Sequence, residues 1–372
     1  MRFWYKIFSV ILIMKILIAT DSFKGTFSSL DAGEIIRSAF SDCGFDDVTV
    51  LAVSDGGDGL TEAARFIDGG RVMRASVKNP FFNEVTAKYV MVGDSAVIES
   101  AEACGLAYGK DVMNATTYGV GQLILSAISN GAKKIILGLG GSATNDGGAG
   151  MACALGAKFY DAYSFIPVGR NLVNVKRADL SKMSKKLEGV EIIGCFDVDS
   201  PFCGECGAAY RFARQKGASP AEVERLDEGL SVFADAVGID KTLPGSGAAG
   251  GLGGGIAAFL GGKLKKGFDV MSSLLGIENA VKNADVVITG EGKTDIQTLA
   301  GKLPYGIADL CYSYGRHCIL ISGCTDGDIE PIYDAGVSQI FTCYDEIPKT
   351  LDKDDAKKRL YSAACRAANS LR

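Results

Sequence analysis

The amino-acid sequence predicts an α/β protein with a largely parallel sheet. Short β-branched runs recur along the chain, and each run ends in a polar or glycine-rich loop. Helical patterns of apolar residues lie between these runs, and such alternation of strand, loop and helix is typical of α/β folds. Most of these runs contain consecutive apolar residues, which fits strands that are covered by other elements on both faces of the sheet.

Seven runs predict strands, and three longer patterns predict helices. In chain order the predicted strands cover 16–19, 48–51, 96–98, 134–137, 191–193, 285–288 and 318–321, and the predicted helices cover 28–39, 120–128 and 221–237. Ligands of parallel sheets bind beside the carboxyl ends of the strands. Because each polar loop follows the carboxyl end of a strand, we expect these loops to converge.

A change of pattern near Pro80 predicts one domain inserted into another. Residues 81–90 alternate apolar and polar side chains, as antiparallel strands do, and the α/β pattern returns near Ala284. No long linker separates the two patterns, which favours an insertion. The predicted domains are a discontinuous one over 14–80 and 284–372 and an inserted one over 81–283.

Composition narrows the class of protein. Of 372 residues, 47% are apolar and 22% are charged, and the net charge is −5, which indicates a globular protein and argues against nucleic acid as its main partner. Eleven scattered cysteines form no disulfide framework and favour a cytoplasmic protein. The apolar extension 1–13 contains Lys6 and lacks a small-residue cleavage site, so we expect neither a signal peptide nor a membrane helix there.

The strongest local signal is the glycine-rich loop from Gly138 to Gly150, which follows a predicted strand and precedes an apolar helical segment, 151–155. Glycines let the backbone approach a phosphate, and a helix N-terminus offers free N–H groups and the positive end of a dipole. Ser142 and Thr144 add hydroxyls, and Asp146 would reach a metal ion on the phosphates. A tight, closely packed turn between strand and helix is the structural alternative.

Two other glycine-containing segments are weaker signals. A second glycine run covers 244–255 but follows no clear strand, so packing of a helix that begins near Ile256 explains it equally well. The Gly-Lys-Thr triplet at 292–294 is not a P-loop, because that motif requires glycine where Val287 stands. The stretch 289–297 is therefore interpreted as an acidic loop at a strand end.

Charged side chains follow the first two predicted strands. Asp21, Ser22 and Lys24 come after the first strand, and Lys24 would bind a carboxylate or phosphate as a point charge. Asp55 and Asp58 share the next loop, where flanking glycines leave them accessible. Capping of the backbone is the structural alternative for each acid.

Asp197 and Asp199 form a third acidic pair, at the end of a buried strand and before Pro201. Two carboxylates in this position suit metal binding or removal of a proton from a hydroxyl. Capping of the backbone is the structural alternative for this pair too.

Taken together, these segments resemble the glycerate kinase family of bacteria, whose members make 2-phosphoglycerate. The resemblance covers nearly the whole chain from Met14. It departs mildly at Thr20, Ser200 and Ile296, where the family usually has other residues, and no charged group is lost. It rests on Asp21-Ser22-Phe23-Lys24-Gly25, Ser54 to Gly59, Gly138 to Gly150, Phe196 to Pro201, Gln215-Lys216-Gly217-Ala218, Pro244 to Gly254 and Thr289 to Gly292.

The resemblance implies transfer of the γ-phosphoryl group of ATP to a hydroxyl of D-glycerate, with Mg²⁺ as cofactor. It also implies a Rossmann-like domain built from both ends of the chain, with the second α/β domain inserted into it. We expect the active site in a cleft between these domains, because a closing cleft would exclude water from the reaction.

The individual roles are our own inference from residue chemistry. Asp197 is the candidate base for the glycerate hydroxyl, because phosphoryl transfer needs a group that accepts this proton. Lys24 and Ser22 would face the glycerate carboxylate or the transferred phosphoryl group, and Asp55 would also contact the substrate. The remaining predictions are Asp199 and Asp295 as metal ligands and Gly140, Gly141, Ser142, Thr144, Gly147 and Gly148 as nucleotide-binding residues.

Three other functions stay open. An NAD(P)-dependent oxidoreductase would use residues 138–143 and an acid roughly 20 residues further on, at a strand end. Asp161 has this spacing, but residues 160–163 do not read as a strand end. A galactokinase-type enzyme would need a proline-led segment before the loop, and a non-enzymatic binding protein would leave the strand-end acids unexplained. The oligomeric state is open, with a homodimer as one option.

Overall fold

A computed structural model of the chain describes residues 14–54, 56–57, 59–296, 298–348 and 350–372. The chain divides into two units. The terminal unit comprises the chain up to Ala52 and from Gly276 to Arg372, and the inserted unit is Val53–Leu275. The predicted extension at 1–13 lies outside the described residues.

The fold is α/β, as the sequence predicts. The strands are β1 (Ile16–Ile18), β2 (Val48–Val50), β3 (Arg71–Lys78), β4 (Glu84–Val92), β5 (Ser95–Glu99), β6 (Lys134–Gly138), β7 (Lys158–Tyr160), β8 (Ser164–Phe165), β9 (Arg177–Asp179), β10 (Glu191–Phe196), β11 (Lys263–Lys266), β12 (Val286–Thr294), β13 (His317–Thr325) and β14 (Val337–Thr342). The α-helices are α1 (Ser29–Asp42), α2 (Leu60–Arg65), α3 (Ala101–Cys104), α4 (Tyr118–Ser129), α5 (Ala149–Ala154), α6 (Ser184–Leu187), α7 (Ala208–Phe212), α8 (Pro220–Val237), α9 (Ala248–Leu260), α10 (Gly267–Leu275), α11 (Ile277–Asn283), α12 (Leu303–Tyr314), α13 (Pro331–Asp334) and α14 (Lys353–Asn369). Short 3₁₀ helices cover Leu106–Tyr108, Gly169–Asn174, Arg214–Lys216 and Thr298–Ala300.

The terminal unit contains a five-stranded sheet in the order β14-β13-β12-β1-β2, and all of its strand pairs are parallel. Helices α1 and α14 start at side-chain caps, because Ser28 accepts the amide of Asp31 and Asp352 accepts the amide of Asp355. Both helices bury apolar residues against the sheet. The shared core includes Ile18, Ile36, Phe40, Ile288 and Leu360.

The inserted unit contains a six-stranded sheet in the order β11-β10-β6-β5-β4-β3. The strands from β11 to β5 are parallel, whereas β4 pairs antiparallel with β5 and β3. In β6, Ile135 and Leu137 join one apolar core and Ile136 joins another, so consecutive side chains are buried on opposite faces. This burial explains the continuous apolar run and confirms that the sheet is covered on both faces.

The unit boundary differs from the predicted one. The alternating pattern after Pro80 does mark an antiparallel strand, β4, but that strand pairs along its length with β3, from Arg71 opposite Met91 to Lys78 opposite Glu84. Strand β3 was not predicted, and it belongs to the inserted unit. The change of pattern therefore marks the antiparallel edge of one sheet, and the chain passes between units earlier, after Ala52.

Strand β12 is longer than predicted. It pairs with β13 as far as Thr294 opposite Thr325, so most of the stretch interpreted as an acidic loop is strand. Its glycines allow close packing, since a Cβ atom on Gly290 would lie 2.3 Å from the carbonyl oxygen of Ile321. A β-branched pattern alone did not reveal a strand that continues through such glycines.

Two further observations concern the described part of the chain. No helix in it is both long and apolar enough to cross a membrane. All eleven cysteines are described there, and all are free thiols, as the scattered cysteine pattern predicts.

Candidate functional site

Three parallel strands of the inserted unit end side by side. Glu99 of β5 lies opposite Gly138 of β6, and Gly138 lies opposite Cys195 of β10. The polar segments that follow these strands therefore start at one edge of the sheet, as expected for a ligand-binding edge. This edge carries the loop after Gly138 and the acidic pair that begins at Asp197.

The first half of the glycine-rich loop is accessible. Gly141 is exposed and Gly140 is half-buried, and Gly141 has a φ of +66°, which favours glycine. The amide of Leu106 donates to the carbonyl of Gly141 at 2.9 Å, which fixes the loop from outside. Within the described residues, no acceptor is found for the amide N–H groups of Gly140 and Gly141. These groups can donate to a bound anion.

Asp146 has a structural role that could not be predicted from the sequence. Its carboxylate is fully buried and accepts the amide of Thr117 at 2.7 Å, the Thr117 hydroxyl at 2.9 Å and the amides of Gly148 and Gly150 at 3.2 Å each. Burial raises the pKa of Asp146, and these hydrogen bonds act in the opposite direction. The expectation that Asp146 reaches a metal ion is wrong, because its oxygens are engaged inside the unit.

Hydrogen bonds to Asp146 and Thr117 also occupy the amides at the start of helix α5. Helix α5 has six residues, and its first amides donate to Asp146 and to the Thr117 hydroxyl, with Met151 N–H at 2.9 Å from the latter. The prediction of free N–H groups at this helix start is therefore wrong.

The second half of the loop packs against the second glycine run. Gly147 and Gly148 are buried, and a Cβ atom on Gly148 would lie 3.1 Å from the Cα atom of Gly255. A Cβ atom on Gly250 would lie 1.9 Å from the carbonyl oxygen of Thr144. The packing interpretation of 244–255 is therefore supported. Helix α9 is assigned from Ala248, but Ala249, Gly250 and Gly251 have non-helical backbone angles, so its regular part begins at Leu252, close to the predicted start near Ile256.

Ser142 and Thr144 are buried and tied to a lysine. The Lys216 ammonium donates to the Ser142 hydroxyl at 3.0 Å and to the Thr144 carbonyl at 2.8 Å. Burial lowers the pKa of Lys216 to about 8, although Cys104 and Asp146 act in the opposite direction. Lys216 lies in one of the segments that resemble the family, but no individual role was predicted for it, because nothing in its neighbours predicts burial of a charged side chain.

Asp197 and Asp199 are exposed where β10 ends. In the described part of the chain, neither carboxylate has a hydrogen-bond or ion-pair partner, so no capping bond occupies them. The amide of Leu139 donates to the carbonyl of Cys195 at 3.0 Å, which holds the glycine-rich loop beside the strand that leads to Asp197.

In the terminal unit, the segment after β1 bends at once. The amide of Asp21 donates to the Gly290 carbonyl at 2.8 Å, and the Asp21 carboxylate accepts the Ser22 amide at 2.7 Å. Ser22 is half-buried and Lys24 is exposed. The predicted substrate residue Asp55 lies outside the described residues, and so does Asp58.

Glu291 is a buried acid on β12 that the sequence left without a role. It accepts the Thr298 hydroxyl at 2.6 Å, and burial raises its pKa while this bond acts in the opposite direction. Asp295, predicted as a metal ligand, is ion-paired with Lys293 at 3.3 Å, and Lys293 also pairs with Asp326 at 2.7 Å. Both acids follow Gly290, to which Asp21 is bonded.

The acids of the site differ in how well they could hold a metal ion. Among the described residues, no group of three or more His, Cys, Asp or Glu side chains could hold a metal ion. Mg²⁺ in phosphoryl-transfer enzymes is usually held by one or two carboxylates together with substrate phosphates. The exposed pair Asp197 and Asp199 fits that requirement, whereas the fully engaged Asp146 does not.

The acid required by a dinucleotide enzyme is placed elsewhere. Asp161 does follow a strand, β7, contrary to the expectation for 160–163, but β7 belongs to a small antiparallel sheet in the order β8-β7-β9. Asp161 is also ion-paired with Lys176 at 2.5 Å. The ribose-binding acid of a dinucleotide site belongs at the end of a strand in the parallel sheet, so the oxidoreductase alternative lacks this support.

Comparisons with known proteins agree with one another. The sequence profile of the glycerate kinase family matches residues 16–372. The chain is 38% identical over 373 residues to glycerate 2-kinase of Escherichia coli K12, which covers 96% of this chain and 97% of the relative. It is 37% identical to glycerate kinase of Halalkalibacterium halodurans, with coverage of 96% and 97%. A crystal structure described as glycerate kinase 2 of Salmonella typhimurium LT2 is similar with a TM-score of 0.82 and 36% identity, and covers 96% of this chain and 98% of that one.

Proposed function

The chain belongs to the glycerate kinase family and is a phosphotransferase that acts on glycerate, and we propose that it transfers the γ-phosphoryl group of ATP to the 2-hydroxyl of D-glycerate with Mg²⁺. The observation that carries the proposal is the shared sheet edge, where the accessible glycines Gly140 and Gly141 follow β6 and Asp197 follows the neighbouring strand β10. The choice of the 2-hydroxyl is supported by the name of the E. coli relative.

We assign the nucleotide phosphates to the first glycine-rich loop. Two backbone N–H groups at Gly140 and Gly141 can donate to phosphate oxygens without a side chain in the way. The second glycine run is buried from Gly245 to Gly255, so its amides are not presented to a ligand in this conformation. Ser142 and Thr144 are buried and would support the accessible glycines of the loop, whereas Gly147 and Gly148 are too buried to contact a nucleotide.

We assign the proton transfer to Asp197. Its exposed carboxylate would accept the proton of the glycerate 2-hydroxyl while the hydroxyl oxygen bonds to the γ-phosphorus. The bond from that phosphorus to the oxygen it shares with the β-phosphate then breaks, and ADP leaves. Asp199 would hold Mg²⁺, which when bound neutralises charge on the phosphate oxygens.

The terminal unit supplies the remaining candidates. The exposed ammonium of Lys24 and the hydroxyl of Ser22 are suited to the carboxylate of glycerate. Asp295 would have to give up its ion pair with Lys293 to bind a metal ion, so Asp199 is the better ligand. Asp55 stays a prediction for substrate binding.

The proposal is tested by product analysis. The purified protein is incubated with ATP, Mg²⁺ and D-glycerate, and the product is examined by ³¹P NMR without proton decoupling. A phosphate on the 2-oxygen couples to one vicinal proton and gives a doublet, whereas a phosphate on the 3-oxygen couples to two and gives a triplet. We expect the doublet together with ADP. A triplet would contradict phosphorylation of the 2-hydroxyl. Formation of phosphoglycerate without conversion of ATP to ADP would contradict ATP as the phosphoryl donor.

A further inference from the structure

Lys216 is the only buried lysine among the side chains that the structure describes, with 3% of its surface exposed. It ends the 3₁₀ helix Arg214–Lys216 and precedes Gly217, which has a φ of +99°. A Cβ atom on Gly217 would lie 2.3 Å from the carbonyl oxygen of Lys110. This backbone position therefore requires glycine, and it fixes the point from which the Lys216 side chain extends.

The ammonium of Lys216 bonds to the residues that directly follow the accessible glycines. It donates to the Ser142 hydroxyl at 3.0 Å and to the Thr144 carbonyl at 2.8 Å. Between them, the Ala143 amide donates to the Cys104 carbonyl at 2.8 Å. The segment after Gly141 is thus held from two sides, by α3 and by Lys216.

Stability alone does not explain a charge in this position. Burial lowers the pKa of Lys216, so the folded chain holds its proton less readily than the unfolded chain does. The groups that face it are the Cys104 thiol and the Asp146 carboxylate, and they offset only part of this effect. A buried charge that weakens the fold is often tied to function.

We propose that Lys216 is a positioning residue for nucleotide binding, because its bonds to Ser142 and Thr144 hold Gly140 and Gly141 with their N–H groups toward the phosphates. This inference rests on the proposed assignment of the nucleotide to the first glycine-rich loop. Lys216 itself does not contact the nucleotide. Its effect is therefore expected on nucleotide affinity and much less on glycerate affinity.

The test is Lys216→Met, with Lys241→Met as the matched control. Lys241 lies in the same unit and also donates to a serine hydroxyl, that of Ser231 at 3.0 Å, but on helix α8. We expect Lys216→Met to raise KM for ATP roughly 10-fold or more, because even a small displacement of a binding loop lowers affinity and rate strongly. KM for glycerate should stay within about 3-fold. Wild-type KM for ATP in Lys216→Met, or an equal rise in both KM values, would overturn the inference.

Ser142→Ala is a milder second variant that keeps the test decisive if Lys216→Met fails to fold. It removes one of the two acceptors of Lys216 and leaves the charge in place. We expect KM for ATP to rise roughly 3-fold. Thermal stability should fall modestly, because one hydrogen bond of the buried ammonium is lost. An unchanged KM for ATP would overturn the inference.

The pH dependence separates positioning from a structural contribution. Above pH 8 the folded chain loses the Lys216 proton, which weakens both hydrogen bonds, so KM for ATP of the wild type should rise while that of Lys216→Met stays flat. From pH 8 to the usual lysine pKa of 10.5, the unfolded chain binds more protons, so the free energy of unfolding of the wild type relative to Lys216→Met should increase. Affinity and stability therefore change in opposite directions; parallel changes would contradict positioning. Absence of ATP-dependent activity in the wild type would instead contradict the proposed function.

Discussion

Gly141 is exposed to solvent, whereas Gly147 and Gly148, a few residues further along the same loop, are buried against α9. The composition of the two halves is similar, but their surroundings differ. In the first half, the amides of Gly140 and Gly141 have no acceptor among the residues that the structure describes, so they can donate to an anion. In the second half, the Asp146 carboxylate accepts the amides of Gly148 and Gly150. Glycine enrichment thus has two separate causes here, ligand access and close packing, and burial distinguishes them.

The largest expected effect is on the buried half. Asp146→Ala removes the acceptor of the Thr117 amide and of two glycine amides, and leaves these donors buried. We expect a loss of roughly 3–5 kcal/mol in the free energy of unfolding of the inserted unit, measured by urea denaturation. Asp161→Ala, which breaks an exposed ion pair with Lys176, is the control and should cost about 1 kcal/mol or less. If the two variants had equal free energies of unfolding, the buried hydrogen bonds of Asp146 would contribute no more to stability than an exposed ion pair does.

The next largest effect is expected on turnover, at the exposed residue Asp197. Asp197→Asn should lower turnover roughly 10²-fold or more, because the amide cannot accept the hydroxyl proton. The melting temperature should not change, since the carboxylate is exposed. Asp94→Asn is the control, because Asp94 is an exposed acid at the opposite end of β5, in the turn that precedes it. Near-normal turnover in Asp197→Asn would exclude it as the base.

A smaller effect is expected at Gly141. Gly141→Ala adds a side chain at a φ of +66° beside the amides assigned to the phosphates. We expect a rise of roughly 10-fold in KM for ATP from steady-state kinetics. Gly93→Ala has the same backbone strain, at a φ of +60°, in a turn with open space around it, so its KM for ATP should match the wild type. A similar rise in both variants would show that strain alone is responsible.

The smallest effect extends the comparison to the terminal unit, where Lys24 is exposed and Glu291 is buried. Lys24→Ala should raise KM for glycerate about 5-fold, the scale of one screened charge contact, and leave KM for ATP unchanged. Lys357→Ala, an exposed lysine on α14, serves as the control. A rise in KM for ATP instead would indicate that Lys24 contacts the nucleotide and not glycerate.

Much of the fold could be predicted from the sequence, because buried parallel strands leave continuous apolar runs. All seven predicted strands are present, but β3 was missed, since its exposed positions include Arg71 and Arg74. Strand β12 was cut short because Gly290 resembled the start of a loop. Because β3 was not predicted, the unit boundary was placed near Pro80, whereas the chain enters the inserted unit after Ala52.

The site was harder to predict than the fold. The strand-end position of Asp197 follows from local pattern, but the burial of Asp146 depends on Thr117, which is distant in sequence. The burial of Lys216 likewise depends on tertiary packing against Ser142. Local sequence records residue chemistry, whereas access to solvent is decided by segments that meet only in the folded chain.

We propose that the exposed half of the glycine-rich loop binds the nucleotide. A crystal structure of the protein with Mg²⁺ and a non-hydrolysable ATP analogue would examine this assignment without the need for a variant. We expect phosphate oxygens within about 3 Å of the amide nitrogens of Gly140 and Gly141, the range of a hydrogen bond. Phosphates bound instead to residues 244–255, with Gly140 and Gly141 left free, would contradict it.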